Sequence, residues 1–326
     1  MAMRVTFWGV RGSLPSPVTP DVLTTRFRGL LHEFVARGYR EVADVDRFIQ
    51  SLPPQRIGGY GGNTMCVEVS SDTQQLIVDA GSGIRPLGYE LLRGLCGRGM
   101  GSVHILMTHF HWDHLIGLPF FTPIFIPGNT IHLYAVETNL EEVIRTVFHK
   151  PNFPVPFERL GAKLEFHRLA PRQPTTIGDI VVTPYQLDHP DPCWGFRFEH
   201  GGKVLSHCAD TECKRATREQ LGLDLPLYQG VDLMIFDAQY SIHELVEKVD
   251  WGHAAAMIGL DLAMHEGIKR IAFIHHEPAS SDERIAEVEA HTRQYYDWQI
   301  QTSREKHLGL HEVDFCFARE GLTLTL

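Results

Sequence analysis

No apolar run in the 326-residue chain approaches the roughly 18 residues that a membrane-spanning helix requires, so no membrane span is expected. The six cysteines, Cys66, Cys96, Cys193, Cys208, Cys213 and Cys316, include no Cys-x-x-Cys pair. Neither a zinc finger nor a disulfide framework is therefore implied, and the cysteines in apolar strand-like segments read as small hydrophobes. Basic charge is also in short supply: 30 Lys and Arg face 40 Asp and Glu, a net charge of −10. That balance disfavours gripping a long nucleic acid through phosphate neutralisation. A small anionic substrate, its charge met locally by bound metal, stays compatible with it. No repeat, low-complexity tract or linker divides residues 1–326, which read as a single domain. The amino-terminal stretch lacks signal-peptide architecture, which makes a cytoplasmic location the expectation.

What the chain does have is a concentration of metal-ligand chemistry. Of its 19 histidines, those at strand ends matter most. His109, His111, Asp113 and His114 directly follow the apolar run Val103-His104-Ile105-Leu106-Met107, which reads as a buried strand ending at a site. In an extended exit from that strand His109 and His111 point the same way, because side chains alternate with period two. Asp113 and His114, followed by Leu115-Ile116-Gly117-Leu118, open a short helix and approach the same cavity from a second side. One ion cannot easily take all four donors, so two are expected. A lone buried histidine is more often a hydrogen-bonded core residue than a ligand. This many ionisable groups against apolar walls, however, requires a compensating cation.

Along the chain, a first strand at 4–9 leads into a loop dense in glycine and proline. Residues 18–57 then read as an inserted helical hairpin broken at Gly38, with Leu23, Phe27, Leu30, Leu31, Phe34 and Val35 on one face. A lid or dimer contact over the site and a simple packing decoration both fit this segment, and a homodimer is one expectation it raises. Asp79 ends the buried strand at 75–78, and Asn63 sits in a Gly-Gly-Asn-Thr turn. Between 131 and 187 short strands alternate with Pro-rich connections, and His132, His149 and His167 there read as surface or packing residues. Further strands end at Asp188-His189, at Asp210, at Asp237 and at His275-His276. His253 is expected at the amino end of a helix, and Ser280 with Glu283 forms a capping-box pattern before the last long helix.

The Thr108–His114 stretch resembles the signature of the metallo-β-lactamase fold superfamily. Periodicity alone says mixed α and β; the resemblance implies a four-layer αββα sandwich interrupted by the 18–57 insertion. It implies that His109, His111 and His189 hold one divalent ion, that Asp113, His114 and His275 hold the other, and that Asp210 bridges them. Zinc or manganese suits seven nitrogen and oxygen donors without a thiolate. Asp79 would orient a ligating histidine, although a turn-capping aspartate fits too, and His276 competes with His275 for the last ligand position or touches substrate.

Finer resemblance, through the runs at 7–13, 61–64, 79–83, 188–189, 206–211 and 253–256, is to the ribonuclease Z and phosphodiesterase branch. That branch implies that His253 contacts a phosphate or protonates the leaving oxygen, with Asp113 orienting the nucleophile, a hydroxide held between the ions. Asn63 would line the pocket or serve only its turn. Ribonuclease Z enzymes usually carry an RNA-gripping arm between their third and fourth ligand motifs, but His189 and Asp210 are only 21 positions apart. The expected activity is hydrolysis of a small phosphodiester such as a cyclic nucleotide. Thioester or lactone hydrolysis, and RNA processing without the arm, are the alternatives.

Overall fold

Alternation along the strands sorts the apolar side chains into three layers. The computed structural model describes residues 2–215 and 217–326. In chain order the strands are β1 (Arg4–Gly9), β2 (Cys66–Ser70), β3 (Gln75–Val78), β4 (Ser102–Leu106), β5 (Thr130–Ala135), β6 (Lys163–Arg168) and β7 (Thr175–Ile177). They continue as β8 (Ile180–Gln186), β9 (Trp194–His200), β10 (Lys203–Cys208), β11 (Leu233–Asp237), β12 (Arg270–Ile274), β13 (Asp314–Phe317) and β14 (Thr323–Thr325). They form two seven-stranded sheets, in the orders β14-β1-β2-β3-β4-β5-β6 and β13-β12-β11-β10-β9-β8-β7. Each sheet is half antiparallel and half parallel: β3 to β6 run parallel in the first, β10 to β13 in the second.

Val67, Val69, Leu76, Val78 and Leu106 of the first sheet meet Leu205, Leu233, Ile235, Ala272 and Ile274 of the second in one core between the sheets. Their neighbours in sequence turn the other way. Ile77, Val103 and Ile105 pack with Ile84 and Leu87 of the helix Ile84–Leu92. Met234, Phe236, Ile271 and Phe273 pack with Leu260 and Met264 of the helix Ala256–Glu266 and with Ile285 and Ile300 of the helix Asp282–Lys306. A one-residue slip of any such strand would exchange its two faces, so the pattern also fixes the register. The result is the αββα sandwich. Among the described residues no helix is long and apolar enough to cross a membrane.

The segment between β1 and β2 is helical, with three helices rather than a hairpin of two: α1 (Pro20–Ala36), α2 (Asp44–Gln50) and the short α3 (Pro54–Gly58). Thr19 caps α1 and Pro20 occupies its first turn, as a helix start favours. The apolar face read from the period is not buried: Leu23, Phe27, Leu31 and Val35 are all exposed. Phe34 packs against Tyr39 and Phe48 at ring centroid distances of 5.3 Å each. Polar contacts attach the segment instead. Arg26 pairs with Asp282, which also accepts from the backbone N–H of Tyr60 at 2.9 Å, and Arg56 meets Glu33 at 2.8 Å.

Candidate metal centre

Every functional candidate but Asn63, His189 and His253 leaves the carboxyl end of a strand with a parallel neighbour, the end where open α/β sheets collect their ligands. Asp79 follows β3, the His109 to His114 run follows β4, Asp210 follows β10, and His275 follows β12. Asp79, Asp210 and His275 take left-handed backbone angles, with φ of 63°, 60° and 64°. The chain therefore turns just past the end of each of these strands. Gly12 lets the chain pass closely underneath, since a Cβ there would stand 2.4 Å from the His275 ring.

Two donor groups result. Ligand atoms of His109, His111 and His189 lie within 4.8 Å of one another, and so do those of Asp113, His114, Asp210 and His275. Asp210 joins the groups: its Oδ2 is 3.1 Å from His114 Nε2 and 3.5 Å from His109 Nε2, and its Oδ1 is 3.1 Å from His275 Nε2. Asp113 Oδ2 stands 3.2 Å from His275 Nε2 and accepts the backbone N–H of Ser13 at 2.7 Å. All seven residues named from the sequence are brought together here, and His275 rather than its neighbour faces the group.

The donors fit divalent ions. The Nε2 atoms of His109, His114 and His189 and the Oδ1 of Asp210 are buried without a hydrogen-bond partner. Buried polar atoms left in that state are costly and rare, and here they face one another. Burial pushes the Asp113 carboxyl up, but His114 and His275 beside it outweigh this and hold it well below the carboxylate range. Burial and neighbouring His114 push His109 down, toward the neutral imidazole that a cation requires. The nearby Cys193 thiol is pushed far up by burial and offers no thiolate. Imidazole and carboxylate without sulfur is a donor set suited to divalent transition metals.

Outer contacts fix the ligand rings. Asp79 is fully buried and accepts from the Thr108 backbone N–H and hydroxyl, both at 2.9 Å, while its Oδ2 stands 2.8 Å from His114 Nδ1. It thereby points His114 Nε2 into the cluster. Such carboxylate partners typically set metal affinity by 10- to 100-fold, so Asp79→Ala is expected to weaken binding by about that factor. Competition against a chromophoric chelator measures it, and an unchanged affinity would reduce Asp79 to a turn residue. Asp191 plays a similar part for the more exposed His111, at 2.8 Å from its Nε2.

His253 does not open its helix. It precedes the N-cap Ala255 of Ala256–Glu266, and its Nδ1 lies 2.9 Å from Asp237 Oδ2. Its ring stacks on His275 at 4.7 Å and meets Tyr240 edge-on at 5.6 Å. Asp237 also accepts from the backbone N–H groups of Asp210, Gln239 and Ala254. Sequence reasoning assigned Asp237 no role, although it ends a buried strand in a carboxylate just as Asp79 does. Ser13 and Asp191 carried no such signal, because their contacts join segments far apart in the chain.

Two candidates make contacts elsewhere in the fold. His276 is buried away from the donors: its Nε2 is 2.8 Å from the Ala318 carbonyl and its ring stacks on Phe317 at 5.8 Å. Burial lowers it to about 3, so it is a neutral packing residue and not a substrate contact. Asn63 spends its side chain on the fold, donating through Nδ2 to Glu320 at 2.9 Å and accepting from the Ser82 hydroxyl at 3.0 Å. These contacts brace its turn, and one N–H and one lone pair remain beyond them.

An αββα sandwich whose sheet edges gather two histidine and aspartate groups defines a metal-dependent hydrolase of metallo-β-lactamase fold. The chain belongs to this superfamily: residues 75–276 match the family model described as the beta-lactamase superfamily domain. Its curated relatives include an uncharacterised protein of Mycobacterium tuberculosis, 24% identical over 222 residues that cover 65% of this chain and 74% of that protein. Another is a ribonuclease Z of Bacteroides fragilis, 24% identical over 242 residues covering 57% of this chain and 75% of the relative. These relatives set the chain beside the ribonuclease Z branch. Among solved structures it resembles the metallo-beta-lactamase fold protein YhfI of Bacillus subtilis, with a TM-score of 0.62, 14% identity and coverage of 100% and 99%. A diphosphatase of the PhnP family gives a TM-score of 0.59 at 18% identity, covering 99% of this chain and 97% of that one. Yeast PDE1 gives 0.57 at 15%, with coverage of 100% and 99%.

Proposed function

We propose that the protein is a phosphodiesterase that hydrolyses a small phosphodiester, a cyclic nucleotide being the leading case, at a centre of two divalent ions. His109, His111 and His189 would hold one ion, Asp113, His114 and His275 the other, and Asp210 both. Bound there, zinc or manganese supplies Lewis-acid polarisation of a phosphoryl oxygen and a water acidic enough to attack at neutral pH. The chain's own part is to place charge and protons. Asp113, its Oδ2 held by the Ser13 N–H, orients the attacking water. Asp237 accepts the Nδ1–H of His253 and orients the ring, so that in its doubly protonated form the Nε2–H is the proton given to the departing alkoxide.

The observation that carries this reading is the Asp237–His253 pair stacked directly on the ligand His275. Ester cleavage with a poor alkoxide leaving group needs such a proton donor. Small substrates are favoured by the segment between His189 and Asp210, which is occupied by the β9–β10 hairpin and leaves no length for an arm that grips RNA. The ribonuclease Z relatives favour a second reading, cleavage of an RNA precursor, which the net charge of −10 opposes.

Metal-loaded protein is expected to turn over bis(p-nitrophenyl) phosphate and at least one cyclic nucleotide, and to leave a thioester, a lactone and a transfer RNA precursor largely untouched. Activity confined to the thioester and lactone would reassign the site to carboxylic esters. Preference for the precursor would establish the RNA reading.

A further inference from the structure

Strands β4, β5 and β6 run parallel with His104 opposite His132, His132 opposite Glu165, and Tyr134 opposite His167. Side chains two apart along a strand share a face, so these five residues form one patch on the first sheet. The patch is distinct from the metal centre, since His104 precedes His109 by roughly 16 Å of extended chain.

Three ligating atoms converge in it. His132 Nδ1 lies 3.0 Å from His167 Nε2 and 3.2 Å from Glu165 Oε2, and His167 Nε2 lies 3.8 Å from the same oxygen. Donors 2.0–2.1 Å from a tetrahedral zinc ion stand about 3.3–3.4 Å apart, a separation these three edges bracket. Within the cluster, one hydrogen bond can join His132 Nδ1 to either His167 Nε2 or Glu165 Oε2, and the third atom is left to solvent. A single dication would meet all three lone pairs at once.

The surroundings hold the donors ready. The His104 ring stacks on His132 at 4.5 Å and 6°, and its Nδ1 lies 2.9 Å from the Tyr134 hydroxyl. Tyr134 in turn stacks on His167 at 4.6 Å. Burial, reinforced by neighbouring His167, pulls His132 below its ordinary value even beside Glu165, which keeps its lone pair free. Lys163 hydrogen-bonds Glu165 through Oε1 at 2.6 Å, which favours the carboxylate and leaves Oε2 to the cluster. The side chains of His132, Glu165 and His167 are 18%, 30% and 37% exposed, so an ion can reach them from solvent.

The geometry points to a second, independent metal site formed by His132, Glu165 and His167, which binds one zinc ion with water in the fourth position and fastens the edge strand β6 to β5. Two imidazoles and one carboxylate are a zinc donor set. The site does not depend on what the main centre hydrolyses.

The test counts ions. Protein stripped by chelator, reloaded with zinc and freed of excess by gel filtration is expected to retain one more zinc per chain in the wild type than in His167→Ala or Glu165→Gln. Cleavage of bis(p-nitrophenyl) phosphate should stay within about twofold across all three, as independent sites require. Zinc should also raise the unfolding temperature of the wild type more than that of either variant. Equal zinc counts in wild type and variants would overturn the site. Loss of activity together with the extra zinc would overturn its independence. Glu165→Gln preserves side-chain shape, so it reads the same difference should His167→Ala fold poorly.

Discussion

Asp210→Ala lowers turnover of any phosphodiester substrate by about 10³-fold or more, and the purified variant retains fewer than two ions per chain. The magnitude follows from what the carboxylate touches. One oxygen approaches His109 and His114, and the other approaches His275, so both donor groups lose a member together. Metal ions in such sites contribute several kcal/mol of transition-state charge stabilisation, and each 1.36 kcal/mol is a factor of ten in rate. Removing the one anion common to both groups also leaves imidazoles facing each other across a buried gap, which disfavours refilling by excess metal. Metal analysis after gel filtration, together with kcat at saturating zinc and manganese, checks both parts. A variant that keeps two ions and works within tenfold of wild type would show that Asp210 is not shared.

His253→Ala has a different signature, because its ring is not among the proposed ligands. Metal content should match wild type. The rate on an alkoxide-leaving substrate such as a cyclic nucleotide should fall by about 10²–10⁴, the usual contribution of a positioned general acid. On bis(p-nitrophenyl) phosphate the loss should be under about tenfold, since a nitrophenolate departs without a proton. Asp237→Asn should reproduce the leaving-group dependence in milder form, because it removes the carboxylate that holds Nδ1–H while keeping an oxygen for the backbone donors. Equal losses on both substrates would move His253 from proton donor to a merely structural support of His275.

Much of this centre was readable before any coordinates. The ligand run after β4 is a local pattern: a buried strand ends, and the spacing of its histidines and aspartate places donors on converging sides. His189, Asp210 and His275 were legible because each follows an apolar run, the same rule applied elsewhere in the chain. The layers were only partly legible, since period-two alternation says which faces are apolar but not which sheets they join.

What escaped depended on contacts between distant segments. The helical period of α1 was legible, but what covers its apolar face was not, because hydrophobic spacing reports a face and not the presence of anything against it. His276 sits beside His275 in sequence and Asn63 in a glycine turn, but Ala318 and Glu320, near the end of the chain, hold them. The last helix is capped by Ser281 and not by the expected Ser280, a one-residue ambiguity that local pattern cannot resolve. His132 and His167 read as unremarkable surface residues because nothing in the sequence says that β5 and β6 are neighbours in register.

The left-handed turns at Asp79, Asp210 and His275 have a consequence for the lifetime of the chain. Such a conformation costs a residue bearing a Cβ roughly 1–2 kcal/mol, and the fold accepts it three times, after one strand of the first sheet and two of the second. Cations bound only by the folded protein stabilise it by mass action. Metal bound by the loops that carry these residues would therefore offset their backbone cost and make them harder to open. Metal availability would then govern how long each molecule survives proteolysis as well as how fast it works.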